Sequence, residues 1–247
     1  AGVRRDKGAM NKVALILAPH PDDESIIGLL PLRLREECGF RVWVVPATLG
    51  SRIERQAARR RELRAACAVL GFGVRFLKCG PAPETSLAAI LRALRPTVVI
   101  LPHARDGHPT HQATHRWGVA AMDAVGGAFH VVETEYWHPL AQPNLMVAAP
   151  AARLKTLRRA LACHAGEVAR NDYAARLPAW MSDNVRRGAE RIGGKGVAAP
   201  PIAHATLYRA RRRVAGKWRA EFRGGETVVS AADVAVLAVR WASPADA

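Results

Sequence analysis

The chain has 247 residues, of which 49% are hydrophobic and 23% are charged. This length and balance exclude a short peptide-like fold, a low-complexity polymer and wholesale disorder, and they predict a globular protein. The 37 Lys and Arg residues against 21 Asp and Glu give a net charge of +16, which indicates either an anionic partner (nucleic acid, an anionic membrane surface or an acidic substrate) or solvated helix faces rich in arginine.

Cysteine usage and apolar runs bear on location. The four cysteines are Cys38, Cys67, Cys79 and Cys163. They form no C-x-x-C pair, so we expect reduced thiols and a cytoplasmic location. Apolar stretches such as Val13–Ala18 are much shorter than the roughly 18 residues that a transmembrane helix needs. Met10 resembles a natural start, so residues 1–9 are predicted to be a flexible extension.

From Met10 to about Trp137, short β-branched runs alternate with longer segments of helical period. The predicted strands are Val13–Leu17, Val42–Val45, Val74–Leu77, Val98–Leu101 and Val131–Glu135. The predicted helices are Glu24–Glu36, with a kink or restart at Pro31, Ile53–Leu70, Ser86–Leu94 and His111–Val125. Near-continuous apolar strands are typical of parallel sheets covered on both faces. The alternation predicts an α/β fold with a Rossmann-like, doubly wound, mostly parallel sheet.

After Trp137 strands and helices no longer alternate regularly. The remaining segments are a helix near Ala151–Ala169, Gly/Pro-rich Gly188–Pro201 and strand-like Ala203–Tyr208 and Thr227–Leu237. We interpret residues 138–247 as a lid or extension on the substrate side. It would complete a single domain of residues 10–247, whose core is residues 10–137.

Two polar loops follow the first and fourth predicted strands. The first, residues 18–24, reads APHPDDE, and the second, residues 102–111, reads PHARDGHPTH. In a doubly wound sheet of Rossmann strand order, the carboxyl ends of these two strands flank the ligand crevice. The two loops are therefore expected to face each other.

The residue types in these loops suit a catalytic zinc site, which takes three protein ligands and keeps one position open. His20 and Asp23 can point at one centre, and His111 from the second loop can complete the set, with His115 as a rival that spacing does not exclude. Asp22 would then be free to act as a general base.

Each of these residues also has an ordinary structural interpretation. Asp22, Asp23 and Glu24 at the start of a helix are typical N-terminal caps. The histidines at 108, 111 and 115 could share one helix face without binding metal. The joint occurrence of two such loops after separately predicted strands favours the metal site.

The runs APHPDDE and DGHPTH, with TLG and RRRELRAACAVLG between them, resemble the PIG-L/LmbE-like family of zinc-dependent N-deacetylases. The resemblance extends over about Lys12 to Glu167. It implies removal of an acetyl group from an N-acetylglucosaminyl substrate. It also implies that His20, Asp23 and His111 bind Zn²⁺.

The resemblance further implies roles in catalysis and substrate binding. Asp22 corresponds to the general base that deprotonates the attacking zinc-bound water, and His108 corresponds to the electrophilic or acid residue that stabilises the oxyanion and assists departure of the amine. The family arginine in the pattern R-x-x-E-L corresponds to Arg59, which is expected to contact substrate.

The sequence departs from the family pattern in three places. Thr110 stands where many members have an aspartate that orients the first histidine of the second motif, so His108 is expected to have a lower pKa or another partner, such as Asp106. The pattern H-x-S-Q appears as HAGE at residues 164–167, which makes a role for His164 doubtful. The acidic residue that often follows T-x-G is replaced by Ser51 and Arg52. This change moves the predicted pocket from acidic toward basic.

Solvated helix faces are the favoured interpretation of the arginine clusters. A second hypothesis is that Arg52, Arg55 and Arg59, just beyond the second strand and at the same sheet edge, help to bind a phosphate- or carboxylate-bearing sugar. The predicted partner is a small N-acetylated sugar conjugate, self-association is left open, and no nucleic acid is expected because no reading module or stacking platform is present. Two other functions remain open: a basic nucleic-acid- or anionic-lipid-binding protein with a degenerate site, and a zinc amide hydrolase acting on a non-sugar acyl-amine.

Overall fold

The computed structural model describes residues 12–78, 82–243 and 245. The predicted extension at residues 1–9, Met10 and Cys79 lie outside these described residues. The strands are β1 (Val13–Ala18), β2 (Arg41–Pro46), β3 (Gly73–Val74), β4 (Val98–Pro102), β5 (Ala128–Thr134), β6 (Leu145–Ala148), β7 (Ala205–Val214), β8 (Lys217–Ala220) and β9 (Glu226–Val228). The helices are α1 (Asp23–Ile26), α2 (Leu29–Cys38), α3 (Ile53–Leu70), α4 (Pro83–Leu94), α5 (Pro109–Val125), α6 (Ala151–Ala162), α7 (Ala165–Val168), α8 (Tyr173–Gly188) and α9 (Ala231–Trp241).

All of these strands form one sheet, in the order β3-β2-β1-β4-β5-β7-β6-β9, with β8 paired to β7. The first five strands are parallel to one another, whereas β7 runs antiparallel to both β5 and β6. The predicted α/β, Rossmann-like, mostly parallel sheet is confirmed. The chain leaves β1 toward β2 and β3 and returns to the other side of β1 at β4, so the switch point lies between β1 and β4.

The central strand β1 explains why its sequence is apolar at every position. Ala14 and Ile16 belong to the core on one face of the sheet, and Leu15 and Leu17 belong to the core on the other. Because side chains alternate along a strand, apolar residues are needed at successive positions when both faces are covered.

The first predicted helix is two helices, α1 and α2, separated at Ile27 and Gly28. The kink expected at Pro31 is wrong, because Pro31 lies in the first turn of α2, where no hydrogen bond from its nitrogen is needed. The break lies at Gly28, where a Cβ atom would stand 2.2 Å from the carbonyl oxygen of Glu24. Tyr208 of β7 holds this break: its Oη donates to Ile27 O at 2.8 Å and accepts from the backbone N–H of Leu30 at 3.1 Å.

The C-terminal part departs most from the sequence prediction. The segment Thr227–Leu237, predicted as strand-like, contains only the end of β9 and then enters α9. Its valines favour a strand, but Ser230 and Asp233 form a reciprocal capping box that starts a helix. The predicted helix Ala151–Ala169 is divided into α6 and α7, the third strand is Gly73–Val74 instead of Val74–Leu77, and β6, α8 and β8 were missed.

Two arginines of the C-terminal cluster on β7 form ion pairs with residues of neighbouring elements. On β7, Arg211 pairs with Glu133 of β5 and stacks 3.8 Å from the ring centroid of Trp218, and Arg213 pairs with Asp123 at 2.6 Å. Such pairs remove much of the support for a nucleic-acid or lipid surface at this cluster. Among the helices of the described residues, none is long and apolar enough to cross a bilayer.

Candidate active site

The fold brings the two polar loops together as expected. Because β1 and β4 are adjacent and parallel, the chain leaves both at the same edge of the sheet. The rings of His20, His108 and His111 lie with centroids 5.0–5.4 Å apart. Residues nearly 90 positions apart in the sequence therefore meet in one small site.

Three of these side chains form a potential metal centre. Single ligand atoms of His20, Asp23 and His111 all lie within 4.8 Å of one another. Asp23 Oδ2 is 3.5 Å from His20 Nδ1 and 3.6 Å from His111 Nε2. His111 Nε2 is buried and has no hydrogen-bond partner among the described residues. A buried nitrogen left unpaired beside a carboxylate and a second imidazole fits a metal ligand.

The carboxylate of Asp106 lies beside the ring of His111, not beside the ring of His108. Its Oδ2 lies 3.3 Å from His111 Nδ1, while its Oδ1 accepts the backbone N–H of His108 at 2.9 Å. A carboxylate behind a ligating imidazole fixes which nitrogen faces the metal. Burial opposes protonation of His111, but Asp23 and Asp106 outweigh it and raise its pKa. Burial likewise disfavours the charge of Asp23, yet His111 and His20 lower its pKa.

The rival ligand His115 lies elsewhere. Its Nδ1 is 2.9 Å from the carbonyl oxygen of Pro102, and it is not in the cluster that contains His111. Burial lowers the pKa of His115. The geometry therefore favours His111 over His115 as the third ligand.

Asp22 adopts a strained backbone conformation, with φ 126° and ψ −31°. Such angles are rare for a residue with a side chain and persist where surrounding contacts enforce them. Its backbone N–H donates to Glu24 Oε2 at 2.9 Å, but its carboxylate does not cap α1 and instead lines the cleft. Burial, Asp23 and Glu24 raise the pKa of Asp22 well above its ordinary value. The capping interpretation therefore does not describe Asp22.

His108 stands at the N-terminus of α5, where its Nδ1 accepts the backbone N–H of Thr110 at 3.2 Å. This bond leaves Nε2 as the protonated nitrogen of a neutral ring. The pKa of His108 is lowered, as expected from sequence, but the main cause is burial, followed by His20 and His111. The neutral ring can donate a hydrogen bond from Nε2.

A cleft of about 810 Å³ opens over these residues. Its lining includes the proposed base and most of the cluster, the start of α3, and Trp137, Gly166, Glu167, Arg170 and Tyr173 from the segment after β5. Arg59 is largely buried and donates from Nη2 to Pro21 O at 3.2 Å, while Glu167 lies 3.7 Å away. Arg52 lies exposed in the lining. Both predicted substrate arginines are thus at the cleft.

A buried ion pair that sequence reasoning missed supports this site. His164 Nε2 lies 2.8 Å from Glu24 Oε1, and both side chains are fully buried. Glu24 also accepts the N–H of Asp22, so His164 supports the proposed base through Glu24. The helical period of Leu157 and Leu161 on α6 continues to residue 164, which is the signal that could have placed His164 inside.

Replacing His164 by Ala should destabilise the fold by about 3–5 kcal/mol, because the Glu24 carboxylate would stay buried without its partner. Urea unfolding at pH 6 measures this loss, and half-exposed His204→Ala is the control. Burial opposes the charge on His164, but Glu24 raises its pKa. The pair's contribution is therefore complete below the unfolded value of about 6.5 and is lost as pH rises through the higher folded value. Equal losses for His164→Ala and His204→Ala would contradict this account.

The family assignment comes from a comparison of the sequence with known families. Residues 15–122 match the family described as PIG-L, GlcNAc-PI de-N-acetylase. Residues 15–122 belong to the PIG-L family. This PIG-L region contains both polar loops, the three cluster residues and Asp22, whereas His164 lies beyond it. This match agrees with the family that the sequence resembles. No curated protein sequence matches the chain.

Solved structures share the fold of this chain. The conserved protein TT1542 of Thermus thermophilus is 22% identical, with a TM-score of 0.62, covering 81% of this chain and 94% of that one. GalB, the 4-carboxy-2-hydroxymuconate hydratase of Pseudomonas putida KT2440, is 22% identical with a TM-score of 0.63, covering 81% and 95%. The N,N'-diacetylchitobiose deacetylase of Pyrococcus horikoshii is 16% identical with a TM-score of 0.62, covering 81% and 83%. Since a hydratase and a deacetylase share this fold, the fold alone does not determine the reaction.

Proposed function

We propose that the protein is a zinc-dependent deacetylase of a GlcNAc-type N-acetylated amino sugar. The observation that carries this proposal is the His20, Asp23 and His111 cluster, with its unpaired buried nitrogen, beside the strained Asp22 in an open cleft. Two imidazoles and one carboxylate are ligands that zinc accepts, and they leave a position open for chemistry. Residues 10–247 would act as one domain, in which the part after residue 137 contributes one wall of the cleft.

When bound, zinc supplies Lewis-acid polarisation of the acetyl carbonyl and lowers the pKa of water. Asp22 takes a proton from the water that attacks the carbonyl carbon. Its carboxylate lines the cleft without capping α1, so it is available for proton transfer. His20, Asp23 and His111 would hold the ion, and Asp106, which lies beside Nδ1 of His111, would leave Nε2 of that ring for it.

His108, from the second polar loop, is the remaining residue with a role in catalysis. Its Nε2–H would donate a hydrogen bond to the oxygen of the tetrahedral intermediate, and such a donor is worth several kcal/mol in a preorganised site. The proton held by Asp22 then passes to the departing amine. Arg59, fixed by Pro21 O and Glu167, would contact the sugar from the cleft wall.

Metal removal tests the proposal directly. The purified protein should contain about one zinc per chain and release acetate from N-acetylglucosaminyl compounds. A chelator should abolish acetate release, and added Zn²⁺ should restore it. The function would be refuted if the protein contained no metal and released no acetate from any amide tested, while a control deacetylase was active. Release from non-sugar acetamides alone would move the proposal to another acyl-amine.

A further inference from the structure

We propose that the outer part of the cleft is a subsite for an oxyanion, either phosphate or carboxylate, carried by the substrate away from its acetamide. This inference rests on the proposed function, because it names the class of substrate which that site selects. The subsite consists of Arg52 and Arg55 at the start of α3 and Arg170 after α7, all of which line the cleft.

The positive and negative side chains of this cleft wall do not balance. The wall consists of Arg52, Arg55, Arg59, Arg170, Glu62 and Glu167. Arg55 lies 3.6 Å from Glu62, while Glu167 is shared between Arg59, at 3.7 Å, and Arg170. Arg52 forms no ion pair with any residue that the structure describes. Four guanidinium groups thus face two carboxylates, which leaves an excess of two positive charges. The other cleft carboxylates, Asp22 and Asp23, belong to the metal end of the cleft.

The guanidinium of Arg55 packs against Gly166, where no side chain competes for its space. A Cβ atom at Gly166 would stand 1.7 Å from Nη2 of Arg55, so the guanidinium occupies space that any other residue would fill. Glu62 Oε1 also accepts the backbone N–H of Gly166 at 3.4 Å. The same oxygen therefore contacts both Arg55 and the backbone against which Arg55 packs. A fixed guanidinium loses less entropy when it binds an oxyanion.

Three residues at this wall lie where the chain departs from the family pattern. Arg52 follows the T-x-G run in place of an acidic residue, Gly166 replaces the serine of H-x-S-Q, and Glu167 replaces its glutamine. Serine at 166 would exclude Arg55 from its present position. The three changes act together. Arg52 adds a cation, Gly166 leaves room for Arg55, and Glu167 holds Arg59 and Arg170 at the wall.

The start of α3 adds to the positive potential. The helix is 18 residues long and Arg52 is its N-cap, without a side-chain hydrogen bond to the first turn. The unpaired N–H groups and dipole at this end favour an anion nearby. The cleft volume of about 810 Å³ suits a small molecule. A sugar that carries one oxyanion group is the ligand that matches both the volume and the charge.

N-Acetylated sugars with and without an oxyanion group test the subsite. N-Acetylglucosamine 1-phosphate and N-acetylmuramic acid, a carboxylate, are compared with neutral N-acetylglucosamine. We expect kcat/KM to be about 10–100-fold higher for at least one anionic sugar, as charge-assisted hydrogen bonds would give. The preference should weaken with salt. Which of the two anions gains more identifies the source of the oxyanion.

Variants of the wall residues test whether the preference for anionic sugars depends on them. Arg52→Gln, Arg55→Gln and Gly166→Ser should each reduce the anionic preference mainly through KM. The exposed Arg186→Gln on α8, outside the cleft, is the matched control. Calorimetric titration of the metal-free protein with glucosamine 1-phosphate and with glucosamine measures the same preference without turnover.

The outcomes separate the subsite from the deacetylase function. Equal kcat/KM for charged and neutral sugars would overturn the subsite and leave deacetylation intact. Binding of glucosamine 1-phosphate that is lost in Arg52→Gln, without acetate release from any sugar, would support the subsite and refute the deacetylase. Anionic preference unchanged in all three variants would also overturn the subsite.

Discussion

Asp22→Asn is expected to lower kcat for acetate release by about 10²–10⁴-fold, the range that a positioned general base contributes. The asparagine side chain has nearly the same shape but cannot take a proton from water. Zinc content should stay at the wild-type level, because Asp22 lies outside the three-residue cluster. Acetate release under saturating substrate gives kcat, and elemental analysis of the same sample gives the metal content.

Asp183→Asn is the matched control, since this exposed carboxylate lies on α8 and pairs with Arg186 on the surface. It should retain wild-type kcat. Loss of zinc in Asp22→Asn would mean that the roles of Asp22 and Asp23 are exchanged. Full activity in Asp22→Asn would exclude Asp22 as the base.

His111→Ala is expected to remove zinc binding and, with it, deacetylation. The change deletes the buried, unpaired Nε2 that faces Asp23. Zinc affinity, measured by competition with a chelator, should fall by more than the roughly 10–100-fold that loss of an outer partner costs. Asp106→Asn, which weakens the orientation of His111, is expected to lie within that smaller range.

His115→Ala is the informative control because His115 is one turn further along the same helix and is also buried. It should keep zinc, since its Nδ1 faces Pro102 O and not the cluster. The urea midpoint of each variant separates metal loss from unfolding. Retention of zinc in His111→Ala together with its loss in His115→Ala would overturn the ligand assignment.

The sequence was sufficient to predict the first half of the fold because its signals are local. The apolar run of β1 and the Gly71 stop after α3 each reflect one element and its immediate neighbours. The order of β1 and β4 was assumed from the fold class, and the two loops meet because that order holds. His20, Asp23 and His111 could therefore be grouped before any geometry was known.

The C-terminal half could not be predicted in the same way. At Thr227–Leu237 the β-branched residues favour a strand, and only the pairing of Ser230 with Asp233 shows that a helix begins there. His164 fits the family pattern poorly, and its partner Glu24 is 140 positions away. Long-range pairs of this kind leave little trace in a single sequence.

Two long-range contacts, here called clamps, hold α1 and its C-terminal break, and they affect the order in which the site assembles. His164 holds Glu24, and Tyr208 holds the break between α1 and α2, across sequence separations of 140 and 181 residues. A chain that ends at residue 122 would contain every proposed metal ligand but neither clamp. The ligands are thus synthesised early, but the Glu24–His164 pair needs residue 164, and the Tyr208 contacts that hold the break after α1 form only after β7 has joined the sheet. Because long-range contacts form slowly, competence for hydrolysis should be acquired late in folding, after most of the helices exist.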